Sequence, residues 1–142
     1  METNKLYRGR LIDHLHLVVA DLPAARRFYG AIYSALGITI GGEAADYFWA
    51  DELFISSKDS RAAAGQLTGR VHLAFQANDR EQVESGYRAA LDAGGSDNGK
   101  PGERPYHPGY YAAFVIDPAG NNIELVFHGP AKKSAESIEI TF

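Results

Sequence analysis

The alternation of apolar and polar positions runs through nearly the same course twice along this chain. Leu11-Ile12-Asp13-His14-Leu15-His16-Leu17-Val18-Val19 is short and aliphatic and stops at a capping residue, which predicts a strand. Asp21 then caps a helix. Its buried stripe is Leu22, Ala25, Tyr29, Ile32, Tyr33 and Leu36, at three- and four-residue steps, and Gly37 is placed to end it in a left-handed conformation. Three short strands are predicted at Ile38-Thr39-Ile40, Tyr47-Phe48-Trp49 and Leu53-Phe54-Ile55, parted by Gly41-Gly42 and Asp51-Glu52.

From Ser57 to Gly69 the chain turns polar and small, as a connection would, and the pattern restarts. Val71-His72-Leu73-Ala74-Phe75 predicts a strand, and Asp79 with Gln82 forms a capping-box-like helix start. Val83, Tyr87, Ala90 and Leu91 make the apolar stripe, and Gly94-Gly95 stops it. Ser96 to Gly109 reads as a long loop. Tyr110 to Ile116 and Asn122 to Phe127 read as strands joined by the tight turn Asp117-Pro118-Ala119-Gly120-Asn121.

Both halves therefore read β-α-β-β-β. His14-Leu15 recurs as His72-Leu73, Asp21 as Asp79 and Tyr29 as Tyr87, all at one offset of 58 residues. Two copies are too few for a solenoid, and each alone would be marginal in size, so one domain over residues 1–142 with a shared core is expected. Module one covers about 10–57, module two about 70–128, and a C-terminal tail 129–142. The fold class is α+β, a curled mixed sheet.

Composition narrows the partners. A formal net charge of −4 argues against nucleic acid or an anionic membrane as the main partner. With no cysteine, disulfides and thiolate metal sites are excluded, which leaves histidine, carboxylate and tyrosine as strong ligands. Met1 to Arg10 lacks the apolar core of a signal peptide, and no stretch is long enough to span a bilayer. A soluble cytoplasmic protein is the expectation.

Strand parity then groups the chemistry, because residues two apart point the same way. Ile123, Leu125 and Phe127 form an apolar face suited to the helix layer, which puts Asn122, Glu124, Val126 and His128 on the other. Val71, Leu73 and Phe75 likewise leave His72 facing away from the helices, and Leu15, Leu17 and Val19 leave His14 with His16. Taken singly, each histidine or glutamate would read as structural. His14 and His72 at matching repeat positions, with Glu124 on the same predicted face, instead suggest two imidazoles and one carboxylate for a divalent Fe, Zn, Ni or Mn ion.

His14 seven residues before Asp21, the helical Arg26-Arg27-Phe28-Tyr29, the second His72 and Asp117-Pro118-Ala119-Gly120-Asn121-Asn122-Ile123-Glu124 together resemble the glyoxalase/bleomycin-resistance/extradiol-dioxygenase superfamily, the vicinal oxygen chelate proteins. The resemblance covers about residues 10 to 128. It implies paired β-α-β-β-β modules around a metal-holding cleft, with His14, His72 and Glu124 at the ligand positions. One departure stands out. Glyoxalase-type members add a fourth ligand from the last strand of the first module, and here that strand reads Leu53-Phe54-Ile55-Ser56, with only Asp51 or Glu52 near its start.

A two-histidine, one-carboxylate centre leaves positions open for substrate oxygens. The expected function is a metal-dependent, glyoxalase-like lyase or isomerase acting on a small substrate with vicinal oxygens. Extradiol-type ring cleavage and fosfomycin-type thiol transfer are enzymatic alternatives, and a metal-free binder of the bleomycin-resistance kind is the rival from another class. His107, ahead of His16 and His128, is the candidate for proton transfer, and Tyr110 or Tyr111 for donation to an oxyanion. Arg104, Tyr106 and Trp49 are the substrate-binding candidates, because the segment Pro101 to Tyr111 concentrates polar and aromatic groups between prolines and glycines. The strictly alternating Ser137-Ile138-Glu139-Ile140-Thr141-Phe142 suits an added edge strand, and a homodimer is expected.

Overall fold

The computed structural model describes residues 4–142; the start of the polar N-terminal segment, residues 1–3, lies outside the described residues. In chain order come β1 (Lys5–Arg8), β2 (Leu15–Val19), α1 (Leu22–Leu36), β3 (Gly42–Ala44), β4 (Tyr47–Ala50) and β5 (Leu53–Ser57). A 3-10 turn at Arg61–Ala63 leads to β6 (His72–Gln76), α2 (Arg80–Asp92), β7 (Ser96–Glu103), β8 (Tyr111–Ile116), β9 (Asn122–Phe127) and β10 (Ile138–Thr141). No helix among the described residues is long and apolar enough to cross a membrane.

The repeat is visible in the topology. One four-stranded sheet runs β2-β5-β4-β3 and the other β6-β9-β8-β7. In each, the first strand pairs in parallel with the last strand of its module, and the remaining pairs are antiparallel. Chain contacts divide the molecule into two compact units. The first holds residues up to Leu22, Thr39–Thr68 and Lys133–Phe142, and the second holds Pro23–Ile38 and Gly69–Lys132. The first module's helix thus belongs to the second unit, a grouping that modules read along the chain do not reveal.

In the first unit the described structure trims and adds strands. The strand expected from Leu11 starts only at Leu15, whose partner is Leu53, the first residue of β5; beyond it the ladder has nothing to pair with. Ile38-Thr39-Ile40 is not a strand. Ile38 N–H donates to Tyr33 O at 2.8 Å, so this apolar run is spent leaving α1, and the edge strand is the next segment, β3. The terminal pair was only half foreseen: β10 forms where the tail alternates, but its partner is β1 of the same chain, with Leu6 opposite Ile140. The tail's alternation therefore carries no argument for a dimer.

The second unit is a two-layer sandwich of helix and sheet. Asp79 caps α2 by accepting the Gln82 N–H at 2.7 Å, and the Gln82 side chain reaches back to the Asn78 N–H at 2.8 Å. Gly86 lets α2 approach β9 so closely that a methyl there would meet the Leu125 side chain at 2.7 Å. Helix α1 packs Tyr29 and Tyr33 edge-on against Phe75 of β6. Leu125, Ile123 and Phe75 thus face helices as their parity requires.

Ser96 to Glu103, expected as loop, is the edge strand β7. Its ladder slips twice, between Asp97 and Gly99 and between Gly99 and Gly102, and these irregularities with Pro101 remove the period-two signal. The remaining loop, 104–110, is closed by Arg104 N–H donating to Tyr110 O at 2.9 Å.

The turn at Asp117 is an anchor as well as a reversal. Asp117 Oδ1 accepts the N–H groups of Ala119 and Asn121, and Asp117 Oδ2 accepts from the Asn121 amide and from the Tyr29 hydroxyl of α1. The Asn121 side-chain oxygen Oδ1 accepts the N–H of Val71 at 3.0 Å. Its own burial, and then the Asp117 charge beside it, push the Tyr29 phenol far above its ordinary value, so this hydroxyl remains a donor. One buried turn ties helix, strand and hairpin together at the root of β9 and β6.

Candidate functional site

Parallel pairing of β6 with β9 sets the first two donors side by side. His72 opens β6 opposite Asn122, and Ala74 lies opposite Glu124, all on the face turned from the helices. His72 Nε2 lies 2.9 Å from Glu124 Oε1, and Glu124 Oε2 accepts a hydrogen bond from the Tyr110 hydroxyl. The glutamate is only 3% exposed, whereas half of the imidazole is open to solvent. A buried carboxylate is expensive unless it is paired or ligates a cation, and both its oxygens are engaged here. Burial, helped by the Glu124 charge, pushes the Tyr110 phenol up to about 12, so it stays a donor at neutral pH.

This pair also fits a metal. Two ligands of an octahedral divalent ion, about 2.0–2.2 Å from it and at right angles, are about 2.9 Å apart. His14 lies in the other unit, just ahead of β2, with a side chain 62% exposed. Its Nδ1 meets Asp13 Oδ1 at 2.7 Å, an arrangement that fixes the ring and leaves Nε2 for a ligand. The hydrogen bond to His14, with Arg8 nearby, holds the Asp13 carboxyl below its ordinary value. Among the described residues no three His, Asp or Glu side chains gather into a group able to hold a metal. Within the second unit the structure brings His72 and Glu124 together.

Loop 104–110 delivers a second cluster to this unit. Gly109 and Gly129 both have left-handed φ, 85° and 81°, and touch backbone to backbone; a methyl on Gly129 would lie 3.0 Å from Gly109 O. That contact brings His107 Nε2 to 2.9 Å from His128 Nδ1, with the rings stacked and Tyr110 edge-on to both. Pro108 O faces His107 Nδ1 at 2.9 Å, and a carbonyl only accepts, so this nitrogen carries the proton. In the neutral pair His128 then donates to His107 Nε2, and the nitrogen left with an open lone pair is His128 Nε2. His128 is four residues beyond Glu124, and that even spacing on one strand face was the sequence signal for it.

The other candidates separate. Tyr111 points to the helix side, donating to Glu84 of α2 at 2.7 Å under the Arg80 guanidinium, so it is parted from Tyr110 by strand parity. Arg104 donates to Lys100 O at 2.7 Å and lies over Phe114, and Tyr106 is largely exposed beside Tyr110. His16 meets the buried Ser56 hydroxyl at 2.7 Å; burial, then the neighbouring His14, lowers its pKa.

Trp49 lines a cleft of about 420 Å³ within the first unit, together with Tyr47, Phe54, His14 and Arg8. Asp51 and Glu52 complete its wall. Arg8 comes from β1, which is held in place by the tail strand β10, and its guanidinium donates to Asp51 O at 2.5 Å. No local pattern could announce this residue, because its position depends on pairing the two ends of the chain.

A family model, Glyoxalase/Bleomycin resistance protein/Dioxygenase superfamily, matches residues 11–125. The chain belongs to this superfamily. Its fold is that of solved members. A glyoxalase/bleomycin resistance protein from Albidiferax ferrireducens T118 is 26% identical with a TM-score of 0.69, over 82% of this chain and 98% of that one. A glyoxalase-related enzyme from Fulvimarina pelagi gives 18% identity and 0.69, over 92% and 97%. A lactoylglutathione lyase from Agrobacterium tumefaciens gives 20% and 0.58, over 83% and 93%. No curated protein matches. Phe54 lies opposite His16 as Glu124 lies opposite Ala74, so an aromatic ring occupies the address where the second module has its carboxylate.

Proposed function

We propose that this superfamily member is a metal-dependent, glyoxalase-like lyase or isomerase acting on a small substrate with vicinal oxygens. The observation that carries the reading is the His72–Glu124 pair, a solvent-facing imidazole against a buried carboxylate whose other oxygen is fixed by Tyr110. His14, its Nδ1 committed to Asp13, is the third protein ligand in this reading. A bound divalent ion supplies Lewis-acid polarisation of adjacent substrate oxygens and leaves sites open for them. The chain's own groups do the rest. Tyr110 holds the Glu124 carboxylate in one orientation, the His107–His128 pair accepts a proton at His128 Nε2, and Trp49 and Phe54 offer apolar surface to the substrate.

The deciding experiment is metal titration of the protein and of His14→Ala, His72→Ala and Glu124→Gln variants, followed by assay with α-hydroxycarbonyl and hemithioacetal substrates. Tight binding of one ion, lost in each variant together with turnover, is the expected result. Full occupancy in the His72→Ala or Glu124→Gln protein would overturn the assignment. An iron requirement with oxygen uptake on catechols would move the reaction to ring cleavage. The metal-free binding reading draws on the aromatic cleft of the first unit. It predicts ligand binding that is indifferent to chelator.

A further inference from the structure

We infer that Asn98 on β7 is a self-modification site, whose side chain is deamidated through attack by the backbone nitrogen of Gly99. Asn98-Gly99 is the one asparagine-glycine pair in the chain. Asparagine is thermolabile, and a following glycine leaves its own nitrogen unshielded for attack on the asparagine carbonyl. The sequence supplies the pair; the fold arranges it.

A regular strand suppresses this reaction by holding the next N–H in its ladder. Here the ladder is broken. Asp97 lies opposite Val115 and Gly99 opposite Phe114, so two steps on β7 match one on β8, and Asn98 is the unpaired extra residue of a bulge on an edge strand. Asn98 is exposed. The Gly99 N–H donates to Asp97 Oδ1 at 2.9 Å, which sets a carboxylate on the proton that must leave. The Tyr87 hydroxyl donates to the same oxygen at 2.9 Å and holds it there, while the Asn98 amide is oriented by donating to Asn122 Oδ1 at 3.1 Å. The fold also demands the glycine. Its φ is 156°, and a Cβ there would lie 3.0 Å from the Phe114 ring and 3.3 Å from the Arg104 guanidinium.

The Gly99 nitrogen bonds to Asn98 Cγ as its proton passes to Asp97; the Cγ–Nδ2 bond then breaks, and the leaving nitrogen takes that proton away as ammonia. Water opens the resulting succinimide at either carbonyl, giving aspartate or isoaspartate. The donor facing Asn122 Oδ1 thereby becomes an acceptor, and a negative charge is added beside Asn122, the register partner of His72. None of this depends on the metal reading.

The whole protein, incubated in mildly alkaline buffer, is read by peptide mass spectrometry, ammonia release and labelling with an isoaspartate-specific methyltransferase. Exchange of NH2 for OH at Asn98 with matching ammonia is expected, while Asn78, Asn121 and Asn122 stay intact. The same chain unfolded in guanidinium chloride is the reference, because there only the dipeptide remains. Native Asn98 should react at least as fast as in that reference. Asp97→Asn keeps an acceptor for Gly99 and Tyr87 but no base, so it should slow the native reaction roughly 10-fold and leave the unfolded rate unchanged. Asn98→Gln should abolish the product and its ammonia. Survival of Asn98 in the native protein while the unfolded chain reacts, or a native rate indifferent to Asp97→Asn, would overturn the inference.

Discussion

The two sheets share strand order, direction and register, yet their open faces carry different chemistry. At the address where β9 places Glu124, β5 places Phe54; where β8 places Phe114, β4 places Trp49; and where β6 has Ala74, β2 has His16. One face is built around a histidine and a buried carboxylate, the other around stacked rings with acids at the rim. The repeat supplies equivalent backbone positions, and different residues at a few of them give the two faces different chemistry. The repeated histidines alone conceal this, since His14 and His72 match while their neighbours do not.

The comparison predicts an asymmetry in metal binding, which is the largest effect expected. Glu124→Ala should lower affinity for zinc or cobalt about 100-fold or more, because an open site has no spare protein donor, whereas Phe54→Ala should leave it unchanged. Calorimetric or cobalt-absorption titration reads both. Equal losses would mean that the two faces act as one site.

Tyr110→Phe sharpens the same contrast within the second unit. Losing the hydroxyl frees Glu124 Oε2 and should weaken metal binding roughly 10- to 100-fold, with far-UV circular dichroism unaltered. Its sequence neighbour is the control.

Tyr29→Phe tests whether the second unit depends on its turn anchor. Removing a buried donor from Asp117 should cost about 1–3 kcal/mol in urea unfolding, since the carboxylate loses a partner it cannot replace with water. The smallest effect belongs to Tyr111→Phe. Its bond to Glu84 is partly exposed, so a loss of about 1 kcal/mol or less is expected, with metal affinity untouched. A drop in metal affinity equal to that of Tyr110→Phe would show that strand parity does not separate the two phenols.

Much of this was legible in the chain itself. Periodicity, caps and the 58-residue offset placed both helices, the strands around them and the alternation that separates Ile123 and Leu125 from Glu124, because these are local consequences of backbone geometry. The shared face of His72 and Glu124 also followed, since a strand residue's facing side is fixed by counting from its apolar neighbours. Strand β7 was hidden because slipped register and exposure erase alternation, and Ile38 to Ile40 misled because a short apolar run serves a helix exit as well as a strand.

What tertiary structure alone decided are the contacts between residues distant in sequence. The pairing of β1 with β10, which brings Arg8 to the cleft, joins the two ends of the chain, and no local preference encodes a partner 130 or more residues away. The stacking of His107 with His128 depends on two glycine backbones meeting, and the grouping of α1 with the second unit on Tyr29 finding Asp117. Local sequence sets which way a side chain faces, because that depends on a residue's own φ and ψ. Which groups then meet depends on packing summed over the whole fold, and it is there that Glu124 acquired His72 and Tyr110 as partners.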